Sequence, residues 1–141
     1  MSIKHVIWAL MLWACLLPCG FAADNAAPLG AAANSLHLSE AVICEGLENF
    51  KPVNPSVVFS VRIGSVMCYT EFDRVPSQTS VFHDWIRQDK LIFRKKLVLK
   101  PPSWSSVSSI QLREADKGPW RVEIRDADDN LLRTLHFSIT D

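Results

Sequence analysis

The sequence predicts an all-β protein, an antiparallel immunoglobulin-like β-sandwich of seven or eight short strands. Gly118 to Ile139 reads as a hairpin, two alternating arms around Asp126-Ala-Asp-Asp-Asn130, each with one apolar face. Upstream, short alternating runs are separated by turns rich in Pro, Gly, Asp and Ser, the spacing of a sandwich. Outside the N-terminal stretch no window has a helical period; the long breaker-free run from Asp84 to Lys100 alternates with period 2. A small β-barrel is the alternative fold.

Met1 to Ala23 reads as a signal peptide. Lys4 supplies the positive start, Val6 to Leu17 an apolar run, and Pro18 breaks it before Gly20, Ala22 and Ala23. That run is shorter than the roughly 20 residues a bilayer-spanning helix needs. A periplasmic or secreted protein is expected. Cys15 and Cys19 raise a lipidated leader as an alternative, but Cys19 follows Pro18 where a small residue is wanted and Cys15 has little apolar run before it. Membrane attachment is expected only if the leader is retained or lipidated. Asp24 to Leu38 is alanine-rich and without period, a disordered linker, so the organisation is leader 1–23, linker 24–38 and sandwich 39–141. Losing Lys4 from 15 basic and 15 acidic residues leaves a net charge of about −1, which selects no charged partner.

Within the sandwich, Ala41 to Glu45 makes a first strand and Phe50 to Pro55 an irregular connection, since its prolines forbid a central-strand role. Val57 to Ile63 and Val66 to Phe72 are strands joined by a Gly64-Ser65 primed turn. Val66, Cys68, Thr70 and Phe72 share one face of the second; Met67, Tyr69 and Glu71 share the other. After a loop at Val75 to Ser80, the strand Val81 to Arg87 puts His83 and Trp85 on one face and Phe82 and Ile86 on the other. Leu91 to Lys100 follows, with Leu91, Phe93, Leu97 and Leu99 inward, and Lys95 breaking that face as an edge strand or bulge would. Trp104 to Arg113, rich in serine, is the last strand before the hairpin. The expected structural core is Phe72, Trp120, Val122, Ile124, Leu135 and Phe137. In an oxidising compartment Cys44 and Cys68 read first as a cross-strand disulfide, with two buried thiols as the alternative.

Chemistry-bearing residues are few. His83 and Trp85 are candidate binding residues, but strand parity turns Asp84 away from His83, so no local His-Asp pair forms. Arg94, Lys96 and Lys100 share a face as a possible cationic stripe for an acidic glycan, an anionic lipid or a protein, with a solvated face as the plainer meaning. Asp126 to Asn130 starts like a calcium loop, but Leu131 and Phe137 stand where glycine and glutamate are required. Ser103 to Ser109 lacks a Gly-x-Ser-x-Gly elbow, and there is no phosphate-binding glycine loop or zinc-ligand spacing. No catalytic residue, metal or cofactor is therefore assigned. Export and near-neutral charge disfavour nucleic acid.

Several motifs recur as a set: Cys44-Glu-Gly-Leu-Glu48, Val66-Met-Cys-Tyr-Thr-Glu-Phe72, His83-x-Trp85, Ser108-Ser109, Gly118-x-Trp120-Arg-Val122 and Phe137. This set resembles the bacterial family called domain of unknown function 2914, over roughly Leu38 to Ile139. The resemblance implies an exported or membrane-attached β-domain with no assigned activity. Ser105 and Val107 depart from it where an arginine and an aromatic are common, as does Asn130 where the hairpin usually has glycine. The expected function is that of an exported, non-enzymatic module binding an envelope protein or glycan. The alternative is a small hydrolase or lyase using His83 with Tyr69 or a serine as helper.

Overall fold

The computed structural model describes residues 34–141; the expected leader, with Cys15 and Cys19, and all but the end of the expected linker lie outside the described residues. The strands are β1 (His37–Cys44), β2 (Gly46–Glu48), β3 (Lys51–Val53), β4 (Val58–Ser60), β5 (Ser65–Arg74), β6 (Thr79–Arg87), β7 (Lys90–Leu99), β8 (Trp104–Gln111), β9 (Gly118–Arg125) and β10 (Leu131–Thr140). They form a narrow sheet of order β1-β5-β8, a wide sheet of order β4-β10-β9-β6-β7, and a two-stranded β2-β3 ribbon. The two larger sheets pack as a sandwich, and neither closes into a barrel.

Alternation sets the interior. β9 turns Trp120, Val122 and Ile124 inward, β10 turns Phe137 and Ile139, and Leu135 packs half-buried on the same cluster. Phe137 sits at its middle, stacked on its register partner Trp120 at 6.2 Å and met edge-on by Trp85 at 6.0 Å and Phe59 at 6.2 Å. From the narrow sheet come Ala41, Ile43, Val66 and Cys68. Phe72 anchors a second cluster with Val75, Val81 and Leu99.

Several expectations need correction. The first strand begins at His37 and ends at Cys44, so it takes in residues 37 and 38 of the expected linker. Gly64, at φ +81°, does not open a hairpin; it caps a 3₁₀ turn at Val61–Ile63. That turn carries the chain between sheets, because β4 pairs in parallel with β10 and so brings Phe59 beneath Phe137. The irregular connection contains β3, whose Pro52 stands opposite Leu47 in a ribbon with no central strand to disrupt. Finally, Cys44 and Cys68 are free thiols. In the β1–β5 register Ile43 faces Cys68 and Cys44 faces Met67, so the two sulfurs leave opposite faces of the narrow sheet.

β7 closes the wide sheet as an edge strand, the position its Lys95 predicts. Leu99 is buried, but Leu91 and Phe93 are 50% and 40% exposed, against the inward placement expected for them. A register shift between Trp85 and Ile86 pairs Leu91 with Ile86 and turns it to the outer face, while Phe93 stays opposite Trp85 where the three-stranded opposing sheet leaves the edge uncovered.

Candidate functional site

His83 and Trp85 do not line a surface. Both side chains have no exposure, and they meet two inward hydroxyls of β8 and β5. Trp85 Nε1 donates to Ser108 Oγ at 3.0 Å, and Ser108 Oγ lies 2.8 Å from His83 Nδ1. His83 Nε2 is 3.3 Å from Thr70 Oγ1, which donates to the Ser106 carbonyl at 3.3 Å. One assignment satisfies every group. Ser108 accepts from Trp85 and donates to Nδ1; the Nε2 proton goes to Thr70, and the Thr70 proton to Ser106. Burial lowers the His83 pKa to about 4, Asp84 opposing weakly, so the ring is neutral at physiological pH. Tyr69 projects from the other face of β5, where its hydroxyl donates to Glu71 Oε2 at 2.8 Å and lies 3.2 Å from Ser105 Oγ. Of the helpers expected for a hydrolase or lyase using His83, Tyr69 lies on the other face, and the serine that does meet the ring, Ser108, is buried with it and takes the Trp85 indole N–H; His83 and Trp85 are corrected from binding candidates to core residues.

The serine-rich strand thus has a division of labour that its composition conceals. Ser106 and Ser108 face inward and close the polar cluster, while Ser105 stands outward beside Tyr69.

The candidate basic residues divide as well. Arg94 is held by both oxygens of the buried Asp84, at 2.6 and 2.7 Å, and by Asp129 at 3.0 Å, and its guanidinium lies 5.0 Å over the Phe82 ring. Across the wide sheet's outer face the pattern continues, Arg125 and Arg121 both pairing Glu123 at 2.6 and 3.0 Å. Arg125 first, then Arg121, hold that carboxyl below the usual range. Arg94 therefore belongs to a neutralised lattice. Lys96 stays at the surface of β7, and Lys100 turns to Trp104, its Nζ 5.6 Å from the ring centroid.

Outside the narrow sheet the β2–β3 ribbon lies over β5. Glu45 N–H donates to the Val53 carbonyl, and Lys51 Nζ reaches Glu71 Oε2 at 2.9 Å. Tyr69 and Cys44 are buried on this side, and burial pushes the Cys44 and Cys68 thiols up, so neither is a thiolate at neutral pH. At the ribbon's tip the two-residue turn Asn49-Phe50 has φ of +50° and +61°, and Phe50 is 87% exposed. Between that tip and the start of β8 lies a cleft of about 420 Å³ lined by Phe50, Glu71, Phe72, Ser103, Trp104 and Ser105. Sequence reasoning missed it. Asn49 was the only turn signal, and phenylalanine beside it hides a left-handed position.

The hairpin turn binds its own backbone. Asp126 Oδ1 accepts from the N–H groups of Asp128 and Asn130, each at 2.9 Å, and Oδ2 from the Asn130 amide at 3.0 Å. The left-handed residue there is Asp129, at φ +66°, not Asn130. Among the described residues no group of three or more His, Cys, Asp and Glu side chains gathers as a metal site, and no helix is long and apolar enough to cross a membrane.

Residues 78–139 match the family described as Protein of unknown function (DUF2914), so the resemblance read from the motifs holds over that stretch. It spans β6 to β10 and therefore includes the His83-Trp85-Ser108 cluster and Trp104. The ribbon and the Cys44 and Val66–Phe72 motifs lie outside it. No curated protein matches the chain.

Proposed function

We propose that this chain is an exported, non-enzymatic binding module that takes up an extended acidic segment of an envelope protein along the free edge of β7. One observation carries the reading: β7 is a ten-residue strand with no neighbour in its sheet beyond β6, combining exposed Leu91, Ile92, Phe93 and Val98 with Lys90, Lys95 and Lys96. Such an edge offers a row of main-chain donors and acceptors to an added strand, with side chains selecting the partner. Charge selects against a second copy. Antiparallel self-pairing about Lys95 would set Lys95 against its own copy, and like charges directly opposite are destabilising. A strand of alternating carboxylates and β-branched residues sets its carboxylates along the face of Lys96 and its apolar residues along the face of Phe93 and Leu97, with Lys95 adding positive charge at the same edge. The enzymatic reading has no support, since the candidate histidine is enclosed and hydrogen-bonded on both nitrogens.

Fluorescence anisotropy with a labelled Glu-Val-Asp-Val-Glu-Ile-Asp peptide tests this. Saturable binding is expected that weakens with salt and is lost in the Lys95→Glu, Lys96→Glu double variant, while the same peptide with lysine at its acidic positions stays free. Equal binding of the basic peptide, or none by the acidic one, overturns the proposal.

A further inference from the structure

We propose that the cleft between the tip of the β2–β3 ribbon and the start of β8 binds a β-linked, all-equatorial oligosaccharide, with sugar ring faces against Phe50 and Trp104 and a sugar hydroxyl donating to Glu71 Oε1. This site is distinct from the β7 edge and does not depend on it.

Phe50 is the first reason. Its φ of +61° is a conformation that glycine or asparagine adopts with less strain, and a bulky side chain there is an outlier. The ring is 87% exposed and so returns almost no burial to the fold for that strain. The turn requires φ > 0 at both positions, but it does not require a large exposed ring at the second, and that choice points to a ligand contact. Trp104, across the cleft, is 37% exposed although it stands opposite the fully buried Phe72 in the β5–β8 register. Two aromatic side chains thus border one cleft, whose volume of about 420 Å³ is that of a small-ligand site.

Glu71 decides the ligand's chemistry. Lys51 and Tyr69 both bond its Oε2, and no hydrogen bond to Oε1 is found among the described residues. Those two partners, Lys51 foremost, hold the carboxyl below the usual range, so it is ionised at neutral pH. Glu71 lines the cleft and keeps about a third of its side chain exposed, so a ligand seated there gains by bringing a donor to the carboxylate's open oxygen. Ser103 and Ser105 line the same cleft and can both donate and accept. An all-equatorial pyranose fits on both counts. Its axial C–H groups present partly positive hydrogens to the negative faces of the aromatic rings, and its hydroxyls surround the ring as donors and acceptors. A proline-rich peptide, the other common occupant of aromatic grooves, has no N–H on its prolines and would point carbonyl oxygens at an ionised carboxylate.

Isothermal titration of the full chain with cellotriose and chitotriose tests the proposal, with α-linked maltotriose and a proline-rich decapeptide as comparisons. Saturable binding is expected for the β-linked sugars and at least about tenfold weaker binding for maltotriose. Phe50→Gly and Trp104→Ala should each weaken binding about tenfold or more, as loss of an aromatic anchor does. Unchanged melting of Phe50→Gly would show that the loss is not unfolding. No heat from either β-linked sugar, unchanged affinity in both variants, or selective binding of the proline-rich peptide overturns it. Binding of the acidic β-strand peptide is unaffected by either outcome, which keeps the two sites separable.

Discussion

Trp120 and Trp104 stand on inward positions of their strands by the same alternation, yet they live in different environments. Trp120 belongs to β9, in the interior of the wide sheet between β10 and β6, and is 4% exposed. Its indole donates to the Asp116 carbonyl at 2.7 Å, its face stacks on Phe137, and Arg87 lies 5.8 Å from its ring centroid. Trp104 opens β8, at the edge of the narrow sheet, and meets Lys100 and the cleft instead. Parity chooses a face; position in the sheet chooses depth. A residue at the centre is held on every side, whereas one at the edge keeps surface that a ligand can use.

The sharpest way to break this comparison is to remove both rings in turn. Trp120→Ala should destabilise the protein by about 3 to 5 kcal/mol, measured by urea unfolding, since it empties a packed site and orphans the Asp116 carbonyl. Trp104→Ala should cost clearly less, about 1 to 2 kcal/mol, because more than a third of the residue already lies in solvent. If the two values were reversed, the assignment of centre and edge would be wrong.

The polar cluster behind Trp85 extends the comparison to pH. The native His83 ring takes a proton only near pH 4, whereas in the unfolded chain it does so near the ordinary 6.5. Above that window both states are neutral there. Within it the unfolded chain binds a proton that the native one refuses, so stability falls as pH drops, by roughly 3 kcal/mol in all. Carboxylates such as Glu71 and Glu123 add their own acid losses, so the measurement is a difference. His83→Gln, which cannot titrate, should lose about that much less than the parent between pH 7 and pH 4 in urea midpoints. Equal losses would mean that His83 is hydrated in the native state.

At the edge the effects shrink and change sign. Phe50→Gly places the residue best suited to φ +61° at the ribbon tip and removes a ring that is almost wholly exposed. Thermal and urea melts should show anything from no change to about 1 kcal/mol of added stability, the relief of left-handed strain being partly offset by the unfolded chain's greater freedom. A clear loss would mean that Phe50 packs on Trp104 or Tyr69 in solution and belongs to the core.

Local alternation made much of the protein legible from its residues. The final hairpin, its inward Trp120, Val122, Ile124 and Phe137, the buried row Val66, Cys68, Thr70 and Phe72, and the edge position of β7 follow from period 2, turn composition and one misplaced lysine. These are properties of a strand and its neighbours in the chain. Tertiary structure decided what depends on distant pairing. A register in which Ile43, not Cys44, faces Cys68 separates the thiols, and a shift by one residue would have reversed that. The 3₁₀ turn at Val61–Ile63 sends β4 to the other sheet, although its residues look like the first arm of a hairpin. His83 looks like chemistry beside Trp85, and only the arrival of Ser108 and Thr70 from two strands of the opposing sheet makes it a satisfied core histidine. Phe50, in a stretch that reads as irregular, becomes the most exposed large apolar residue among those described because the β2–β3 ribbon holds its turn open. Alternation is written within a strand, but depth and register are set by the strands that come to lie beside and across from it.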